Sequence, residues 1–256
     1  MFQTFFKPQK MNYLVKIIIW ATLVATAFGA KLPPGFKKCN LKQISSQDCL
    51  PKAIESAIKQ MNRPIKKLGV LGLQPLVIPS LIIDAGSQFL VAQQIYKDMK
   101  LSGFNETSCS KAEFDYKNKT LNLECVVPNF RMDFHYEIHG KVMMVTIYGN
   151  GTGWLLFHNN ELGLSFKFGE YEKKGNTYFN ILSQQLRMQP TDIDFDLQNL
   201  FDGDEESTLR MKKILKENAL DIYNEVRAGY EEAYGKVFAY VFEKILEKVP
   251  VPEIFG

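Results

Sequence analysis

Residues 48–62 read DCLPKAIESAIKQMN and place Leu50, Ile54, Ala57, Ile58 and Met61 on one side of a helix. Asp48 is a suitable cap, Pro51 fits the first turn, and Arg63-Pro64 ends the pattern. The stretch that follows, LGVLGLQPLVIPSLIID, is apolar but interrupted by Gly69, Gly72, Pro75 and Pro79. Those breakers exclude a long helix and predict a buried, extended lead-in segment.

From about residue 88 to 197 the period changes to two, the spacing of β-strands. KAEFDYKNKTLNLEC predicts a hairpin turning near Lys117-Asn118. Pairing Phe114 with Leu121 puts Ser110 opposite Cys125, so a Cys109–Cys125 bridge requires a bulge or a one-residue offset. A second hairpin is predicted in RMDFHYEIHGKVMMVTIYGN, with Gly140-Lys141 as a glycine-first turn and paired residue numbers summing to 281. Met132, Phe134, Tyr136 and Ile138 then share an apolar face with Val145, Ile147 and Gly149. Arg131, Asp133, His135, Glu137 and His139 share a mostly polar one, which describes a sheet with one wet side.

Between residues 205 and 249 there is no proline, and apolar residues keep helical spacing from Ile214/Leu215 to Val249. A single helix there would be about 67 Å long at 1.5 Å per residue. Gly229 and Gly235 predict a bend or break, and Pro250 and Pro252 stop it. The predicted class is therefore α+β: a short N-terminal amphipathic helix and a long, strongly curved antiparallel sheet wrapped around a long C-terminal helix, in one domain.

The N-terminus alters the charge and the compartment. Residues 1–29 carry Lys7, Lys10 and Lys16, no acid, a short apolar run IIIWATLVATAFG and a small-residue site at Ala27-Phe28-Gly29. This is the pattern of a cleaved secretory signal and is too short for a comfortable membrane span. Its removal leaves residues 30–256, with 28 of the 31 basic residues against 28 acidic ones. A neutral surface without a basic cluster argues against nucleic acid or an anionic membrane as partner, and no anchor is expected after cleavage. In an oxidising compartment the four cysteines allow three pairings; the short local loops favour Cys39–Cys49 and Cys109–Cys125. Asn105, Asn118 and Asn150 begin N-glycosylation tripeptides, which fits an extracellular chain.

Several stretches resemble chemical sites and fail on geometry. His135 and His139 would converge on a helix, but on a strand they lie roughly 13 Å apart, so one metal cannot take both. Asp192, Asp194 and Asp196 begin like a calcium loop, yet Leu197 and Gly203 stand where glycine and glutamate are needed. Asp202 to Glu206 suit helix capping and the helix dipole. No nucleophile motif is present, so neither catalysis nor a cofactor is expected. GNGTG at 149–153 could suggest a phosphate loop, but it runs on into apolar WLLF instead of opening a helix. In the 281 register its glycines point inward, letting the sheet curve closely over the helix or leaving room for a ligand, with Asn150 outward beside Arg131.

The remaining signal is apolar supply: 19 phenylalanines, 11 tyrosines and 9 methionines. Two readings account for it, a filled core or a cavity between sheet and helix for a lipophilic ligand. The lining candidates on the sheet are Met132, Phe134, Tyr136, Ile138, Val145 and Ile147. On the helix stripe they are Tyr223, Val226, Tyr230, Tyr234 and Phe238.

LPPGFKKC at 32–39, DCLPKAIESAI at 48–58, LQPLVIPSL at 73–81, YEIHGKV at 136–142, the glycine run, LQNLFDGD at 197–204 and the closing VFEKILEKVPVPEIF occur in this order. Together they resemble the insect takeout and haemolymph juvenile-hormone-binding protein family over essentially the whole chain after the signal. The resemblance implies a curved sheet around a long helix, an apolar tunnel, and a secreted, monomeric carrier of juvenile hormones, other terpenoids or fatty-acid-like molecules. It maps the family's N-terminal cysteine pair onto Cys39 and Cys49. The second pair, inside an early hairpin, looks like an addition and favours the takeout-like branch, whose roles include feeding, olfaction and daily rhythm.

Overall fold

The computed structural model describes residues 29–40, 49–86, 90–142 and 145–255. The signal segment up to Phe28 and the Asp48 cap lie outside them.

Helix α1 spans Cys49–Gln60. Seven antiparallel strands follow: β1 (Leu76–Gly86), β2 (Leu90–Ser102), β3 (Ser108–Asp115), β4 (Thr120–Val142), β5 (Val145–Lys173), β6 (Asn176–Gln189) and β7 (Asp192–Leu197). The chain closes with helices α2 (Glu205–Glu217), α3 (Ala219–Leu246) and the short α4 (Val251–Ile254). The sheet order is β1-β2-β4-β5-β6, with β3 added to β4 and β7 added to β5.

The spine is the β4–β5 pair, 23 and 29 residues long. A straight 29-residue strand would reach about 95 Å, more than twice the roughly 42 Å of α3, so the sheet must curl to cover the helix. Each spine strand carries two short partners in tandem. β2 flanks β4 over 131–142 and β7 flanks β5 over 153–158, whereas β3 flanks β4 over 120–126 and β6 flanks β5 over 161–173.

The two halves meet at Pro128, which the register places opposite Asn159, a residue with φ 41°. Proline gives no N–H to the ladder, and the pair interrupts the alternation. Phe130, Met132, Phe134 and Tyr136 are buried on one side of it, Leu121, Cys125 and Val127 on the other. The inward-facing set thus changes from odd to even numbers along β4. Pro79 repeats the device opposite Asp98 (φ 49°) on β1, an edge strand where its missing N–H costs least.

Three expectations are corrected. The second hairpin closes on a Val142–Val145 pair, so paired numbers sum to 287: Met132 faces Leu155, and Asn150 faces Glu137, not Arg131. No turn forms at Gly140-Lys141, because both residues continue the ladder, opposite Ile147 and Thr146, in the same face parity. The lead-in segment becomes strand β1 from Leu76, and Val77 and Ile82 on it are exposed. The long helix breaks at Asn218, not at a glycine. Asn218 has φ −126°, and its amide Nδ2 donates to Ile214 O at 2.8 Å, closing α2 in place of a continuing backbone bond. Gly229 and Gly235 stay helical inside α3; a Cβ on Gly235 would lie 3.4 Å from Leu186 Cβ, where the helix approaches β6.

Other expectations hold. The first hairpin pairs Phe114 with Leu121, and a shift at Ser110 brings Cys109 opposite Cys125. Cys39–Cys49 and Cys109–Cys125 are both bridged. Asp204 caps α2 by accepting from Ser207 N at 3.0 Å. β5 runs unbroken through GNGTG, which rules out a strand-to-helix phosphate loop there.

Candidate ligand cavity

Helix α3 packs against β6 and β1, with β7 and β2 at its N-terminal half. Its inner stripe meets the concave face of the sheet, and three apolar cavities remain between them.

The first, about 130 Å³, lies under the N-terminal half of α3. Tyr223, Val226 and Tyr230 line it from the helix, Ile138 and Ile147 from the spine strands, and Gln94 and Tyr96 from β2. No Lys, Arg, Asp or Glu stands in its wall. Its polar atoms gather at one place: Tyr96 Oη is 2.6 Å from both Tyr230 Oη and Gln94 Oε1, and Tyr230 Oη is 3.0 Å from the same Gln94 oxygen. Two hydroxyl protons serve three close contacts, so the cluster can re-pair around an incoming oxygen without leaving a proton unbonded. Burial pushes the Tyr230 hydroxyl up to about 12, and burial, then the Tyr230 dipole, raise Tyr96 well above its ordinary value. Both therefore remain neutral donors at physiological pH.

The second cavity, about 190 Å³, lies under the C-terminal half of the helix. Phe238, Val241 and Phe242 face it from α3, Leu123, Val127 and Leu164 from the spine, and Ile54, Ala57 and Ile58 from α1. Thr107 contributes its only hydroxyl, buried and without a hydrogen-bond partner among the described residues. A third cavity of about 140 Å³ shares Ile54, Ala57, Leu121, Phe242 and Ile245 with it and extends under the N-terminal segment at Leu32 and Phe36.

The sequence-based candidates divide into three groups. Ile138, Ile147, Tyr223, Val226 and Tyr230 line the first cavity and Phe238 the second. Met132, Phe134, Tyr136 and Tyr234 are buried but face none of the three. Tyr136 donates to Gln198 O at 2.6 Å, and the Phe134 ring packs on Tyr96 at 4.7 Å. Val145 is 42% exposed, a correction that follows from the register: it sits at the hairpin tip instead of mid-strand. Sequence reasoning missed the far half, including Leu121, Leu123, Leu162, Leu164, Phe166 and the α1 face. The alternation there was visible, but the parity change at Pro128 was not.

The inward glycines have another occupant than the helix. Cβ atoms on Gly149 and Gly151 would lie 2.7 Å from Asn199 O and 2.1 Å from Gln198 O, and one on Gly153 would lie 2.8 Å from Asp196 O. The chain leaving β7 crosses the sheet there and closes the end of the first cavity with Leu197 and Leu200. Trp154 points outward, as its parity requires, and the Arg131 guanidinium covers its ring at 4.6 Å. Among the N-glycosylation tripeptides, Asn118 and Asn150 are exposed and Asn105 is half-buried. No described helix is long and apolar enough to cross a membrane.

A family model described as haemolymph juvenile hormone binding protein matches residues 17–256. The circadian clock-controlled protein daywake of Drosophila yakuba is 23% identical over 233 residues, covering 87% of this chain and 88% of that one. Its Drosophila melanogaster counterpart is 21% identical over 231 residues, with the same coverage. The crystal structure of Takeout 1 from Epiphyas postvittana superposes with a TM-score of 0.76 at 22% identity, covering 86% of this chain and 99% of that one. It has the same curved sheet and helix.

Proposed function

The chain belongs to the haemolymph juvenile hormone binding protein family, and from that membership we propose that it is a secreted, non-catalytic carrier of a small lipophilic molecule. The observation that carries this reading is the row of apolar cavities between α3 and the concave face of the sheet. Each is near the size, about 150 Å³, at which a dry protein cavity accepts a benzene ring. A longer chain would extend across the second and third cavities, which share five wall residues. Burying about fifteen carbons offers roughly 10 kcal/mol of transfer energy at 0.8 per methylene, before the costs of association. Micromolar binding needs no charged anchor.

The ligand class is neutral and oxygen-bearing: an ester, alcohol or ketone of a terpenoid or fatty chain. The walls of the first two cavities hold no ion to compensate an ionised head and Lys37 lines only the third, whereas the Tyr96–Tyr230–Gln94 cluster can bond a neutral oxygen. The protein leaves the cell after cleavage near Gly29, as a monomer bearing glycans at the exposed Asn118 and Asn150. The relatives' names motivate a test for daily oscillation of its abundance.

Native mass spectrometry of the secreted protein should reveal co-purified lipid, and neutral terpenoid or fatty esters should raise the Tm of the delipidated form. An empty protein whose Tm no lipophile moves would leave a solid-core interaction protein as the correct reading.

A further inference from the structure

The first and second cavities share no wall residue, and one side chain stands where they would join. On α3, Tyr230 lines the first and Phe238 the second; Tyr234, fully buried, lies between them on the same stripe. Its ring centroid is 5.9 Å from that of Tyr230 and 6.4 Å from that of Phe238. The sheet meets it at the same level. The Phe130 ring stands perpendicular to it at 5.9 Å, and Tyr234 Oη is 3.0 Å from Met132 Sδ and 3.5 Å from Met99 Sδ. Met99 and Met132 are fully buried.

We propose that Tyr234 determines ligand length: it fills the packed layer whose two faces, Tyr230 toward the first cavity and Phe238 toward the second, confine a bound chain to one side of the cavity row. Phe130, Met99 and Met132 back the ring from the sheet, and adjacent aromatic rings brace it along the helix. Among the described residues the hydroxyl bonds to two thioether sulfurs, weak acceptors, so it fixes the ring's tilt and adds little to the wall. The proposal rests on the carrier reading, and its test has one arm that does not.

The first arm titrates delipidated wild type, Tyr234→Leu and Tyr234→Phe with straight-chain methyl esters of increasing length. Leucine keeps an apolar side chain and shortens the barrier, and melting curves confirm that each variant is folded. Wild type should gain roughly fourfold in affinity per added methylene until one compartment is full, and then gain nothing. Tyr234→Phe should stop at the same length, because the ring remains. Tyr234→Leu should continue to gain over several further methylenes. Identical length profiles in wild type and Tyr234→Leu overturn the proposal.

The second arm uses xenon, which enters dry apolar cavities whether or not the protein carries lipid. Crystals of wild type under xenon pressure should show separate sites on the two sides of residue 234, and those of Tyr234→Leu a further site between them. If no ester binds any variant, the carrier reading fails while this xenon pattern still upholds the partition. Xenon bridging the two sides in wild type overturns the partition.

Discussion

The two ends of the sheet are built on the same pair of strands and the same helix, yet they are closed by different means. At the β2/β7 end the cavity wall carries three tyrosines of α3 and β2, and the chain leaving β7 lies directly on three glycines. At the β3/β6 end a cluster of Phe166, Phe168, Phe179 and Phe242 fills the floor, and α1 covers it, tied down by Cys39–Cys49 next to the Cys109–Cys125 hairpin. One end carries a cluster of tyrosine hydroxyls and is sealed by backbone; the other is hydrocarbon but for the Thr107 hydroxyl and is sealed by a stapled helix. On the proposed carrier reading, the first end would recognise an oxygen of the ligand and the second would solvate its hydrocarbon.

Glycine substitutions should break the symmetry most sharply. A Cβ on Gly151 meets backbone, Gln198 O at 2.1 Å, whereas one on Gly163 meets only the flexible Arg187 side chain at 3.2 Å. Gly151→Val should therefore cost about 3 kcal/mol or more, because a crossing strand must be displaced. Gly163→Ala should be neutral or slightly stabilising. Urea denaturation of both variants checks the pair; equal stabilities would mean that the crossing segment does not press on β5.

The opposite end should yield to loss of its staple. Cys109 and Cys125 close a loop of sequence separation 16, for which chain entropy predicts about 3 kcal/mol. The double substitution to alanine should lower global stability by that order. Hydrogen exchange should rise in β3, α1 and the adjoining parts of β4 and β6, with β2 and β7 little changed. Uniform acceleration over the whole sheet would show that the two ends do not open separately.

How far the sequence disclosed these ends follows from the same contrast. The face parity at the β2/β7 end was readable because Met132 to Ile138 alternate without a break, and a wrong register of 281 for 287 preserved it. The register itself was not readable: Gly140-Lys141 is good turn chemistry, and only the pairing of the whole strand outweighs it. Beyond Pro128 a φ of 41° at Asn159 reverses the faces, which no local pattern announces. α2 and α3 were legible as one helical stripe because both bury the same side. Their boundary depends on a single Asn side chain competing for a carbonyl. The crossing over the glycines is a contact between segments about fifty residues apart, beyond the reach of any local periodicity.

The smallest expected effect is the most informative about recognition. Tyr230→Phe removes one hydroxyl from the first cavity and leaves Tyr96 bonded to Gln94 at 2.6 Å, so folding at pH 7 should lose only about 1 kcal/mol. At high pH the difference from wild type should shrink and be cancelled by about pH 11. The folded-state value of about 12 lies above the ordinary tyrosine value of 10.0 in an unfolded chain. The unfolded state therefore releases the proton first, and wild-type stability falls as pH rises from 10 toward 12. By pH 11 this group alone should remove about 1.4 kcal/mol, a decline that phenylalanine cannot show. In calorimetric titration, a neutral ester or alcohol should bind the variant about fivefold more weakly, the equivalent of one hydrogen bond, while an alkane of equal length binds as before. Phe166→Leu at the other end should weaken ester and alkane alike. If Tyr230→Phe did the same, the tyrosine cluster would be packing and not recognition, and the two ends would differ only in how they are closed.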